Sequence, residues 1–334
     1  MAEIKLKDIA EIVGVSTVTV SNALSGKKGV SQEVRERIES VAREMGYDFS
    51  RYEKKETGAR IGVVASHHYV EIGNSFYWAM YQQVVYAASK NHSVTMLEIL
   101  DMEIQNTKEL PKLLKEKAVD GLIVIGWMFE PYIRYLVKIS EVPVVLLDFR
   151  VRGSRCDTVM SGNFVGMYKV TRYLLEKGHR DIAFVGSILA NENLMDRYYG
   201  YKKALLEAGI RERKEWILED RDLITGQKRF ELPELMPTAF ACSGDLTAQW
   251  VYEALKEKGY RIPQDISLIG YDNYLPWHHL SQELTSYNVD MKRMAAMAVK
   301  RLLSKIRGGE RYYGTRYIDS YIVERSSVKD LCKV

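Results

Sequence analysis

The sequence predicts an α/β protein in two parts: a helix-turn-helix head of three helices, then a doubly wound core built as two subdomains. Three observations carry this expectation. Two short helical patterns meeting at Gly14 open the chain, β-branched runs alternate with helical patterns from Arg60 onward, and the alternation comes in two series.

In the head, Leu6, Ile9, Ala10 and Val13 fall at i, i+3, i+4 and i+7 and line one face of a first helix. Gly14 stops it and Val15 fills the corner. Ser16 is placed to cap a second helix, whose buried face is Val20, Ala23 and Leu24. Ser31 caps a third, where Val34, Ile38, Val41, Ala42 and Met45 keep helical spacing until Gly46. The expected division is a head over 1–47, a linker over 48–59 and a core over 60–334.

In the core, Ile61 to Ala65, Val94 to Ile99, Leu122 to Ile125 and Val144 to Leu147 have the composition of buried strands. Helical patterns near 75–90, 107–117 and 130–140 separate them. A second series places strands near Thr158 to Met160, Ile182 to Val185, Thr238 to Cys242 and Ile266 to Ile269, with helices near 164–177, 196–208 and 245–258. A helix near 291–306 and a strand over Tyr317 to Val323 are expected to return to the first subdomain. The first subdomain then takes about 60–157 and 289–323, the second about 158–288. Ligands of such sheets bind beyond the carboxyl ends of the strands, which here means a cleft between the subdomains.

Composition narrows the function. With 334 residues, 46% of them hydrophobic and 28% charged, the chain is too apolar to be disordered and long enough for more than one domain. Cys156, Cys242 and Cys332 stand singly and fit neither a disulfide framework nor a metal-binding pair, so they are expected as free thiols in a reducing cytoplasm. The N-terminus has no apolar signal region and no run of about 18 apolar residues occurs, which supports neither export nor a membrane span. The paired histidines His67-His68 and His278-His279 lack acidic or cysteine partners at ligand spacing. No nucleophile elbow, zinc-protease or phosphate-loop pattern occurs, so neither metal, cofactor nor catalysis is expected.

The net charge of +4 does not by itself argue for nucleic acid. The second helix does. Its outer face carries Thr17, Val18, Ser21 and Asn22, a set with no core to enter. An exposed β-branched residue among hydroxyls suits a major groove, where Val18 meets a thymine methyl and Asn22 offers adenine a donor and an acceptor. With Ser16 and Thr19 from the same turn, the candidate DNA-binding set is Ser16, Thr17, Val18, Thr19, Ser21 and Asn22. Lys27-Lys28 and the basic residues from Arg51 to Lys55 are phosphate candidates.

At this point a resemblance becomes specific. Lys7-Asp-Ile-Ala-x-x-x-Gly-Val-Ser-x-x-Thr-Val-Ser resembles the head of the LacI/GalR family of bacterial transcription regulators. The likeness continues through Asn74-Ser-Phe-Tyr, Val119-Asp-Gly-Leu-Ile, Val142-Pro-Val-Val-Leu-Leu-Asp148, Gly178-His-Arg-Asp-Ile-Ala-Phe-Val-Gly186, Arg197-x-x-Gly-Tyr and Pro263-x-Asp-Ile-Ser-Leu-Ile-Gly-Tyr-Asp272. It implies a type I periplasmic-binding-protein-like core and a homodimer on a pseudo-palindromic, double-stranded operator. It also implies a repressor controlled by a small effector, often a sugar and sometimes a purine, held between the subdomains.

Carried over by position, the effector residues are Phe76, Tyr77 and Asp148 from the first subdomain, with Arg197 and Asp272 from the second. The chemistry is apt: two carboxylates and a guanidinium bind neighbouring hydroxyls, while aromatic faces cover the apolar side of a ring. Trp127 and Trp277, each just past a strand, are further candidates for stacking. The linker departs from the family, whose hinge helix wedges a leucine into the minor groove. Here Phe49, Ser50, Glu53 and Glu56 stand at or near positions of its usual Pro, Asn, Ala and Leu, and a carboxylate makes no apolar wedge. That departure leaves a second reading, a sugar-binding module with weakened or lost operator binding.

Overall fold

In the computed structural model the first helix of the head, α1 (Leu6–Val13), stops at Gly14, whose φ of 76° is a left-handed value that a Cβ disfavours. The turn leads into α2 (Thr17–Leu24), and Ser16 caps it by accepting from the Thr19 amide at 3.0 Å. The third helix, α3 (Gln32–Glu44), is capped likewise by Ser31. Ile9, Val20 and Ile38 are fully buried at the centre of the three, ringed by Ala10, Ala23 and Ala42. Each large aliphatic side chain so buried contributes about 1.5–3 kcal/mol. Arg35 of α3 reaches the carbonyl of Ala23 and so closes the free end of α2.

The structure describes residues 4–25, 29–47, 58–67, 76–223, 226–276, 278–309 and 312–333. They fall into two compact units, 1–58 and 59–334. The expected linker over 48–59 lies almost wholly outside the described residues, as do Lys27, Lys28 and Trp277.

The larger unit runs β1 (Arg60–Ser66), α4 (Phe76–Ser89), β2 (Val94–Leu100), α5 (Met102–Thr107), α6 (Lys112–Lys115), β3 (Gly121–Ile125), α7 (Glu130–Ile139), β4 (Val144–Leu147) and β5 (Asp157–Ser161). Next come α8 (Asn163–Glu176), β6 (Ile182–Val185), α9 (Glu192–Glu207), β7 (Ile217–Leu218), β8 (Ala239–Cys242) and α10 (Asp245–Glu257). The chain ends with β9 (Ser267–Asp272), β10 (Thr285–Asn288), α11 (Met291–Ile306), β11 (Thr315–Ile318) and β12 (Ile322–Val323). Two six-stranded sheets result, ordered β11-β5-β4-β3-β1-β2 and β12-β10-β9-β8-β6-β7. The first is parallel throughout, and only β12 runs antiparallel in the second. Helices cover both faces, so β3, β4, β6 and β8 are buried along their whole length.

Three sequence expectations need correction. Of the helix expected over 107–117 only one turn forms, Lys112–Lys115, and a separate short helix ends at Thr107, because Lys108 turns left-handed and Pro111 offers no amide to carry a helix through. The strand expected to open the second subdomain at Thr158 instead pairs with β4 and β11, so β5 belongs to the first sheet. The strand expected over Tyr317 to Val323 is split: β11 joins the first sheet and β12 the second. A run of apolar residues defines a strand but not the partner it finds. Among the described residues no helix is long and apolar enough to cross a membrane.

Candidate functional site

The outer face of α2 is the first candidate. Val18 is 66% exposed, beside exposed Thr17 and half-buried Ser21 and Asn22, while Val20 and Ala23 point into the core. A lone exposed valine is ordinary in itself, but here it stands on the second helix of a helix-turn-helix, the element that meets a groove in such motifs. Ser16 and Thr19 stand apart from the other four, because their hydroxyls bond each other at 2.8 Å within the cap. They hold the helix start in place.

The second candidate lies beyond the carboxyl ends of the strands of the larger unit. Asp148 follows β4 with φ at 67°, and Asp272 ends β9 with φ at 111°. Neither is glycine, and left-handed backbone of this kind is costly except where the surroundings enforce it. Between the two carboxylates lies Arg197, carried by the middle of α9 and only 6% exposed. Its Nη1 is 3.3 Å from Asp272 Oδ1 and donates to the carbonyl of Ser243. Its Nε donates to Asn163 Oδ1 at 2.9 Å, and its guanidinium carbon lies over Tyr271, 3.8 Å from the ring centre. From the first subdomain, the Tyr77 hydroxyl donates to Asp148 Oδ2 at 3.2 Å. Phe76 meets Tyr77 edge-on at 5.3 Å and Tyr274 at 6.1 Å.

The structure therefore brings Phe76, Tyr77, Asp148, Arg197 and Asp272 into one cluster. Trp127 stands apart from the contacts that tie this cluster together, 39% exposed past the end of β3. Of the paired histidines, His278 and His279 stack on each other at 4.4 Å and pack on Tyr252, which gives them a structural place.

Electrostatics mark the cluster further. Burial pushes Asp148 up to about 7 and Asp272 up to about 6, against the pull of Arg197 on both. A third carboxylate, Asp245, opens α10 and is pushed up to about 8 by burial and by Asp272. Asp245 accepts from the Tyr274 amide at 2.8 Å and the Ser286 hydroxyl at 2.6 Å, which clamps the turn carrying Asp272. Ser286 in turn takes the Asn273 amide at 3.0 Å.

Three buried polar atoms around Arg197 have no hydrogen-bond partner: Asp148 Oδ1, Asn163 Nδ2 and Asn193 Oδ1. Asn193 donates its other amide atom to the Asp148 carbonyl at 2.8 Å, from one subdomain to the other. An unpaired buried acceptor costs about 1–3 kcal/mol, so two acceptors and one donor in the same place favour a ligand carrying hydroxyl or amide groups. Sequence reasoning missed Asn163, Asn193, Asp245 and Tyr274. Asn193 had a usable signal, since it precedes Arg197 by four residues and shares its helical face.

Comparison with known proteins follows the same division. The profile of bacterial regulatory proteins of the lacI family matches residues 5–49, and that of the periplasmic binding protein-like domain matches 171–328. The HTH-type transcriptional repressor PurR of Erwinia tasmaniensis is 32% identical over 345 residues, covering 97% of this chain and 97% of its own. Among solved structures, the CelR transcriptional regulator in complex with cellobiose superposes with a TM-score of 0.69 at 22% identity, covering 97% of this chain and 99% of its own. The lac repressor dimer bound to operator and the anti-inducer ONPF superposes with a TM-score of 0.65 at 22% identity, covering 98% and 100%. The chain thus belongs to the LacI family of bacterial regulatory proteins.

Proposed function

We propose that this protein is a transcriptional repressor whose grip on a double-stranded operator is set by a neutral, polyhydroxylated effector, a sugar, bound in the cleft around Arg197. As a member of a family of regulatory proteins it is not an enzyme. It works as a cytoplasmic homodimer, two copies of α2 reading the half-sites of a pseudo-palindrome. The observation that carries the effector reading is the set of unpaired buried atoms, Asp148 Oδ1, Asn163 Nδ2 and Asn193 Oδ1, grouped on a charged pair. Arg197 is already paired with Asp272 and the other buried acids add no positive charge, which favours a neutral donor-rich ligand over an anionic one. Two solved neighbours, each 22% identical, support this reading: one holds cellobiose, and another is a dimer on its operator.

Thermal shift across neutral mono- and disaccharides, sugar phosphates and purine bases tests this. A shift with a neutral sugar, lost in Asp148→Asn, supports the reading. A shift confined to sugar phosphates or to purines overturns it. Operator selection in the presence and absence of the hit then gives the sign of regulation.

A further inference from the structure

Glu192, the first residue of α9, sits one position before Asn193 and faces two arginines that follow Asp148 by two and four residues. Arg150 grips it with both prongs, Nη2 at 2.6 Å from Oε1 and Nε at 2.9 Å from Oε2. Arg152 adds Nη2 at 3.0 Å and Nε at 3.3 Å to the same Oε1. The remaining nitrogen of Arg150 donates to the Tyr317 hydroxyl at 2.9 Å, which ties its fork to β11 of the first sheet. Arg150 and Glu192 are largely shielded, with side chains 28% and 22% exposed, whereas Arg152 is 78% exposed. Hydrogen bonds from Arg150 hold the Glu192 carboxyl below its ordinary range despite burial, and its place at a helix start favours the anion further. Paired geometry of this kind is the stronger sort of ion pair.

The position of the clasp gives it a role. Glu192 belongs to the second subdomain and both arginines to the first, and the hydrogen bond from Asn193 to the Asp148 carbonyl lies directly alongside. Moving the two sheets apart breaks the clasp and that hydrogen bond together, and carries Asn193 Oδ1 away from Asp148 Oδ1. Beside the arginines lies a pocket of about 260 Å³, lined by Arg150, Arg152, Ser154, Thr158 and Tyr313. Building on the effector cleft proposed above, we infer that Glu192 is a positioning residue for the effector: clasped by Arg150 and Arg152, it seats Asn193 against Asp148 and holds the two subdomains together beside the cleft. The clasp touches no ligand and acts through Asn193.

Hydrogen exchange on the full-length protein without ligand tests this, comparing wild type, Glu192→Gln and the double variant Arg150→Glu with Glu192→Arg. In Glu192→Gln, amides over 148–154 and over 191–197 exchange roughly three- to tenfold faster, while those of β3 and β8 are unchanged. Exchange in wild type at the same two segments rises with sodium chloride, as an ion-held contact requires. The double variant restores most of the protection. Faster exchange over 191–197 alone reduces Glu192 to a local helix start and overturns the proposal, as does a double variant no better protected than Glu192→Gln. Dissociation of whichever sugar stabilises the wild type is faster in Glu192→Gln by a similar factor. If no sugar in the panel binds, the effector reading fails while the exchange comparison still decides the clasp.

Discussion

Arg197 Nη1 stands 3.3 Å from Asp272 Oδ1, and both side chains are shielded enough that neither charge is at ease without the other. Removing one partner of such a pair is strongly destabilising, by about 3–5 kcal/mol, because the survivor is left charged and dry. Arg197→Ala is expected to lower the urea midpoint and abolish sugar binding together. Arg197→Lys keeps a charge but loses the Asn163 contact and the guanidinium over Tyr271, so it is expected to fold and bind about tenfold or more weakly. Calorimetry on the lysine variant decides the matter, and wild-type affinity there places the ligand elsewhere.

Stability should fall as pH rises through the neutral range. Asp272, Asp148 and Asp245 have folded values of about 6, 7 and 8, all raised by burial above an unfolded value near 3.9. The folded state therefore holds more protons than the unfolded one between roughly pH 4 and 8. Their contribution is fully present below the unfolded value and is lost as pH climbs through each folded value. His179 opposes this at acid pH, because burial lowers its pKa and keeps it neutral. Going from pH 5.5 to 8.5 is expected to cost the ligand-free protein several kcal/mol, measured by urea unfolding. Asp245→Asn flattens the profile; an unchanged slope in that variant removes Asp245 from the account.

Base reading is testable at one position. Asn22 lies on the outer face of α2 one turn beyond Val18, and asparagine pairs with adenine where arginine pairs with guanine. Asn22→Arg is expected to shift half-site preference toward G at one position by about 1–3 kcal/mol, read from selection on randomised operators. Identical selected sites in both proteins would dismiss Asn22 as a base contact. Val18→Ser is expected to weaken preference for T at the neighbouring position in the same assay.

Gly200 permits close backbone packing between α8 and α9. A Cβ built there lies 2.2 Å from the Phe164 carbonyl oxygen and 2.9 Å from the Tyr168 amide nitrogen, both backbone atoms of α8. Neither is able to swing aside, so α8 and α9 must separate. Gly200→Ala is expected to cost roughly 1–3 kcal/mol or more and, because α9 carries Asn193 and Arg197, to weaken effector binding as well. Denaturant unfolding paired with calorimetry checks both effects, and a neutral variant contradicts the packing argument.

Much of this molecule was legible because its signals are local. Helical spacing in Leu6 to Val13, the stop at Gly14 and the serine caps at Ser16 and Ser31 depend on neighbours within a turn or two, and each is where the residues require it. The apolar runs that became β1, β3, β4, β6 and β8 are likewise local, since a strand buried on both faces has to be apolar at every position. The carboxylates Asp148 and Asp272 were noticed because each follows such a run, where a charge is unexpected.

Pairing and satisfaction were decided only by the tertiary structure. No feature of Asp157 to Ser161 says that it joins β4 and β11, and nothing in Tyr317 to Val323 marks the point where the chain leaves one sheet for the other. The same holds for the site. Asn163, Asn193 and Asp245 are ordinary polar residues near helix starts until folding buries the two asparagines near Arg197 with one atom each unpaired and sets Asp245 beside Asp272. Helix and strand propensity are properties of a short window, so the sequence by itself determined the elements and the family likeness. Which buried donor or acceptor goes without a partner depends on every atom that folding brings near it, and so only the tertiary structure decided it.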